Sequence, residues 1–287
     1  MNKIVLLISF FACSICVNAQ KKDAYIIYKS NGKKISYKRM LKKIPKAEVL
    51  LFGEFHNNPI AHWLQLEIAV DLHEKGNQLS FGAEMFEADQ QNTIDQYFNG
   101  QINQEEFKNQ MRLWPNYSTD YQPLLEWAKD NNYSFTATNM PRPFASKVYK
   151  EGGFKALEEL SEVEKAWVAP LPIPYDPELK TYKNMLAMMG GEHANPDIVK
   201  AQASKDATMA HFILENRVPN TLFFHLNGSY HSNFYEGIVW YLKQYNPDLK
   251  VVTLTTVEQE DIYKLEEEFE GIADYIICVP STMTKTY

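Results

Sequence analysis

The sequence predicts an α/β fold: a mainly parallel sheet flanked by helices, with a helical insertion between the third and fourth core strands. Two observations carry this reading. Short apolar runs alternate with amphipathic stretches along the chain, as in sheets built from β-α-β units. Between two of those runs lie about eighty residues of mostly helical sequence, far more than a simple crossover requires.

Taken in order, residues 24–28 and 34–37, split by Ser30-Asn31-Gly32, read as an opening hairpin. A first core strand follows at 48–52. The next helix is framed by Asn58 as N-cap, Pro59 at its first position and Gly76 as its stop. Ile60, Trp63, Leu64, Ile68 and Leu72 recur along it at helical spacing and predict the face that packs on the sheet. Further core strands are expected at 79–83, 134–138, 221–226, 250–254 and 275–279, with helices at 89–98, 104–111 and 122–131. Residues 143–217 form the insertion, stiffened by Pro170, Pro172, Pro174 and Pro177.

The first nineteen residues stand apart from the fold. Lys3, an apolar stretch at 4–15 and Val17-Asn18-Ala19 before Gln20 read as a secretory leader cleaved after Ala19, leaving 20–287 as a single domain. The expected location is the cell envelope, either periplasmic or associated with the outer membrane. Lipid attachment at Cys13 or Cys16 fits worse, because Phe10 stands where a leucine is wanted and Ile15 where a small residue is wanted. Past the leader only Cys278 remains, so no internal disulfide can form. A net charge of −7 argues against nucleic acid, which needs a basic face.

In open α/β sheets ligands bind beyond the carboxyl ends of the strands. Those ends carry Gly53-Glu54-Phe55-His56, Gly82-Ala83-Glu84-Met85-Phe86, Asn139-Met140-Pro141-Arg142 and Gly228-Ser229-Tyr230-His231. Glu54, Glu84 and His231 should therefore meet in space. Glu54 could instead cap the next helix. Glu84 in an apolar strand end needs a partner, whether a metal, a histidine or Arg142. His225, inside a buried strand, reads as a hydrogen-bonded core residue. His62 and His73 lie roughly 16 Å apart by helical rise and read as ordinary helix positions.

The segments Gly53-Glu54-x-His56, Gly82-x-Glu84-Met85-Phe86 and Gly228-x-x-His231 resemble the signatures of the Tiki superfamily. Gln65 and Glu67, Gln90, Tyr97-Phe98-x-Gly100, Trp114, Tyr121 and Asn139-x-Pro141-Arg142 narrow the resemblance to its ChaN-like haem-binding uptake branch. Ala201-Gln202, Asp206-Ala207-x-Met209-Ala210 and Gly237-Ile238 extend it, so that it runs from about 47 to 255. The resemblance implies non-covalent haem binding in iron uptake, with outer-membrane haem-uptake machinery as a partner and a homodimer left open. More distant members are metal-dependent peptidases or esterase-like enzymes.

Haem would need an axial donor and an apolar slot. The segment from Tyr175 to His193 offers both, with Tyr182, Met185, Leu186 and Met189 in one stripe that ends at Gly190-Gly191. The stripe could simply dock on the protein's own core. Read as a flap, it offers Tyr182 or Tyr175 as the axial ligand, then His193, then Met188. The rival reading is a metal-dependent hydrolase in which Glu54, His56, Glu84 and His231 hold zinc, manganese or iron. Glu54, Glu84 and His231 would then be its catalytic groups.

Overall fold

The computed structural model describes residues 22–190 and 194–287. Residues 1–21, including the expected leader, and His193 lie outside the described residues. Seven strands form one sheet in the order β1-β7-β6-β2-β5-β3-β4. They are β1 (Ile26–Lys29), β2 (Val49–Glu54), β3 (Leu79–Glu87), β4 (Phe135–Asn139), β5 (Leu222–Gly228), β6 (Val251–Gln259) and β7 (Tyr275–Pro280). All pairings are parallel except β1 with β7.

Strand side chains alternate between two covered faces, so the central strands carry apolar residues toward both. Leu50, Phe52, Phe81 and Phe224 pack on one side against α2 (Pro59–Glu74) and α5 (Gln122–Asp130). Val49, Leu51 and Phe223 pack on the other against α9 (Asp197–Glu215) and α10 (Ile238–Tyr245). Between β3 and β4 the chain also forms α3 (Gln91–Phe98) and α4 (Gln104–Gln110). The insertion between β4 and β5 supplies α6 (Arg142–Lys150), α7 (Glu162–Lys165), α8 (Lys180–Met188) and α9. Among the described residues, no helix is long and apolar enough to cross a membrane.

The α2 boundaries follow the sequence signals. The Asn58 side chain accepts from Ile60 and Ala61 N–H at 3.1 and 3.2 Å, and Gly76 takes a φ of +78° past the helix end. Its buried face is turned slightly from expectation: Ala61, Leu64, Gln65, Ile68 and Leu72 face inward, while Trp63 is 46% exposed. The opening hairpin is reduced to a single bridge, Tyr28 to Lys34. After it the backbone turns into α1 (Tyr37–Leu41), whose Met40 and Leu41 are buried under the sheet edge.

Candidate functional site

β2 and β5 both extend past their expected ends, so Gly53-Glu54 and Asn227-Gly228 stay in register as strand pairs. β3 continues too, but its pairing with β4 shifts between Ala83 and Glu87. That irregularity releases Glu84 from the ladder and aims it at β5. The three strand ends therefore converge, with Glu54 and Glu84 on opposite sides of the β5 terminus.

Glu54 is buried in a ring of donors. Tyr121 donates its hydroxyl to Oε1 at 2.7 Å, Gln65 donates Nε2 to Oε2 at 2.5 Å, and His56 Nδ1 lies 2.9 Å from Oε1. His62, from α2, stands 3.6 Å from Glu54 and 3.4 Å from Asp120. A π-helical turn at Tyr117–Tyr121 brings Asp120 and Tyr121 inward together. His56, whose side chain is 32% exposed, is the part of this network that reaches solvent. Burial would lower its pKa, but the Glu54 hydrogen bond and the Glu84 charge outweigh that and raise it.

Glu84 belongs to a second network. Its Oε2 accepts from Gly228 N–H at 2.7 Å and its Oε1 meets His231 Nε2 at 3.1 Å. The other nitrogen of His231, Nδ1, bonds to Asp206 of α9, whose second oxygen accepts the Tyr182 hydroxyl at 2.9 Å. Burial alone would deprotonate His231, yet Glu84 and Asp206 together raise its pKa to about 10. Burial likewise opposes the Glu84 charge, and His231, His56 and Gly228 N–H overcome it and hold its carboxyl below the usual range. Asp206, the second carboxylate on one imidazolium, has its pKa raised by burial and by Glu84.

Gly228 joins the two networks. A methyl there would come within 2.8 Å of His56 Nε2 and 3.5 Å of Glu84 Oε2, so only a glycine lets His56 lie across the strand end. Glu54, His56, Glu84 and His231 are thus gathered into one place. Glu54 is held by Tyr121, Gln65 and His56, and Glu84 by Gly228 N–H and His231; among the described residues no three His, Cys, Asp or Glu side chains are arranged to hold a metal ion. His225 is a core histidine as expected: Thr138 Oγ1 and Asn227 Oδ1 meet its ring nitrogens at 2.7 and 3.1 Å, and burial lowers its pKa to about 4.

The expected haem segment divides. Tyr182 is buried with Val199 and Ala203, and Tyr175 stacks on it at 5.9 Å. Met188 projects outward, 70% exposed. Met185 and Met189 of the same stripe line a cavity of about 370 Å3 between α6, α8 and α9. Arg142, Tyr149, Ile198, Ala201, Gln202 and Lys205 complete much of its wall. Neither Tyr182 nor Tyr175 lines this groove. A larger cavity, about 510 Å3, lies at the β1 edge by Tyr25, Ile35 and Tyr263, and none of Glu54, Glu84 or His231 lines it.

Sequence reasoning placed no functional weight on His62, Asp120 or Tyr149. Gln65, Tyr121, Gln202 and Asp206 did stand among the residues that carried the resemblance, and that was the available signal.

The family model for haem-binding uptake proteins of the Tiki superfamily, ChaN, matches residues 40–242. The chain belongs to this family. Among solved structures, cofacial heme binding to ChaN of Campylobacter jejuni is similar in fold, with a TM-score of 0.67 at 20% identity, covering 88% of this chain and 96% of that one. An erythromycin esterase mutant in its open conformation shares the fold at a TM-score of 0.51 and 12% identity, covering 89% and 97%. A curated relative, the chloroplastic protein RETICULATA-RELATED 5 of Arabidopsis thaliana, is 30% identical over 140 residues. That match spans 46% of this chain and 18% of the plant protein.

Proposed function

We propose that this ChaN-family protein binds haem non-covalently in the groove between α6, α8 and α9, as the cargo of an uptake route across the cell envelope. The groove carries the reading. Its volume falls in the range of small-molecule sites. Its walls set Met185, Met189, Ile198 and Ala201 against the basic side chains of Arg142 and Lys205, matching a flat apolar ring that bears carboxylates. Flexible methionines suit such a surface.

The residues present fit haem. Of the groove-lining side chains, Tyr149, Met185 and Met189 carry atoms able to act as an axial donor, and a phenolate suits ferric iron. Tyr149 therefore takes the role first given to Tyr182 or Tyr175. Export after cleavage at Ala19 and delivery by outer-membrane machinery complete this proposal.

Haemin titration tests it. Wild type is expected to bind with a tyrosinate-type spectrum that Tyr149→Phe perturbs. A protein that bound no haem but retained a stoichiometric metal would instead favour the hydrolase reading built on Glu54, His56, Glu84 and His231.

A further inference from the structure

Among the described strands β4 ends the sheet on its side, so one row of its backbone groups faces away from β3. Phe81 N–H donates to the Ser134 carbonyl at 2.9 Å, and Phe81 is in register with Phe135. Successive residues of a strand turn their backbone groups to alternate sides, so those of Phe135 and Ala137 point outward. One side chain meets both. Gln91, the first residue of α3, donates Nε2 to the Phe135 carbonyl at 3.0 Å and accepts the Ala137 N–H on Oε1 at 2.6 Å.

A parallel strand added beside β4 would place one residue there, its N–H on the Phe135 carbonyl and its carbonyl on the Ala137 N–H. The Gln91 amide makes the same two bonds and so stands in for one residue of an eighth strand. Its second N–H goes to Asp95 Oδ1 at 2.8 Å, one turn along α3. The two strand groups fix which end of the amide is oxygen, and Asp95 holds the remaining donor. A cavity of about 440 Å3 lies at this edge, with Gln91, Asp95, Phe98, Ser134 and Phe135 in its wall.

The segment behind the amide is one that pairs readily with a copy of itself. Tyr133-Ser134-Phe135-Thr136-Ala137-Thr138 is rich in aromatic and β-branched residues and holds no charge, proline or glycine. We propose that the β4 edge is a latent self-pairing surface whose occupant is β4 of a second copy of this chain, and that Gln91, locked by Asp95, holds it shut. The pair would be antiparallel, since a two-fold axis makes a strand its own partner only in that sense. The edge shares no lining residue with the groove between α6, α8 and α9, so the assignment stands apart from the haem reading.

Sedimentation velocity of the haem-free full chain, together with hydrogen exchange at the Ala137 amide, tests this. Gln91→Met keeps the side-chain length and removes both strand bonds. It should speed Ala137 exchange at least about tenfold and bring association at concentrations about tenfold below those of wild type. Asp95→Ala, at an exposed position, should give a weaker change of the same kind. Adding Ser134→Lys, a charge at the exposed start of the edge, should return Gln91→Met to wild-type association and leave Ala137 exchange fast. Unchanged Ala137 exchange in Gln91→Met would overturn the plug. Fast exchange without association would overturn the self-pairing surface. Association that Ser134→Lys does not reverse would overturn it too, by assigning the contact to another face or to unfolded chains.

Discussion

The Tyr182 hydroxyl donates to Asp206 across 2.9 Å, and the tyrosine packs with Val199 and Ala203. Burial and the Asp206 charge push its ionisation far above the usual phenol range, the opposite of what a tyrosinate ligand needs. Tyr182→Phe should therefore lower stability by about 1–3 kcal/mol, because a buried carboxylate oxygen loses its donor. Denaturant titration reads that loss, and the haem Soret band should stay in place. A displaced band would put this phenol at the iron.

The His231 imidazolium makes stability depend on pH on the alkaline side. Its pKa is raised from 6.5 to about 10 by Glu84 and Asp206 against the pull of burial. Below about 6.5 both folded and unfolded chains hold the proton, and the contribution is full. Between about 6.5 and 10 only the folded chain holds it, so stability falls as pH rises. Melting temperatures from pH 6 to pH 10 should decline in wild type and decline less in His231→Gln. An equal slope in the variant would assign the loss to other groups. At the acid end the sign reverses: the depressed Glu84 contributes above its unfolded value and is lost as pH falls, with the raised Asp206 working against it.

Glu54→Gln should leave haem affinity within about twofold, because the carboxylate is enclosed by Tyr121, Gln65 and His56 and does not line the groove. The same change should move the His56 midpoint downward in an NMR titration, since the Glu54 bond is one of the influences that raises it. Loss of haem binding in this variant would place the cargo at the strand ends instead.

Export predicts a defined terminus. Intact mass spectrometry of protein recovered from the cell envelope should show a chain beginning at Gln20 without lipid. A diacylated Cys13 or Cys16 at the new terminus would replace that expectation with a lipoprotein.

The strands were legible because a parallel strand buried on both faces leaves a short, mostly apolar run, as at 48–52, 79–83 and 221–226. Glu54, Glu84 and His231 were legible because each follows a glycine at a strand end, where a carboxylate or imidazole has little packing reason to be. His62 was not, and Asp206 only through the resemblance, because on a helix a polar residue facing inward and one facing outward differ only in phase. With Trp63 counted toward the core face of α2, that phase was misjudged by about one position, and His62 passed for an ordinary helix position. Tyr182 is buried and outside the groove lining for a related reason: its stripe shares a helix side with Met185 and Met189 but enters the helix's own packing one turn earlier. The hairpin at 34–37 failed because Lys34 makes only one bridge before burial of Met40 and Leu41 favours a helix.

β5 lies between β2 and β3, although 134 residues of chain separate the end of β3 from its first residue. Until β5 arrives, β2 and β3 must stand about 10 Å apart, two strand spacings, or else pair with each other in a wrong sheet. Their unpaired edges in that interval are a hazard for association with other copies. The segment that fills the gap ends at Gly228 and leads directly to His231, so seating it both seals the sheet and delivers the histidine to Glu84. The His231–Glu84 pair can therefore form only once β5 has taken its place between β2 and β3.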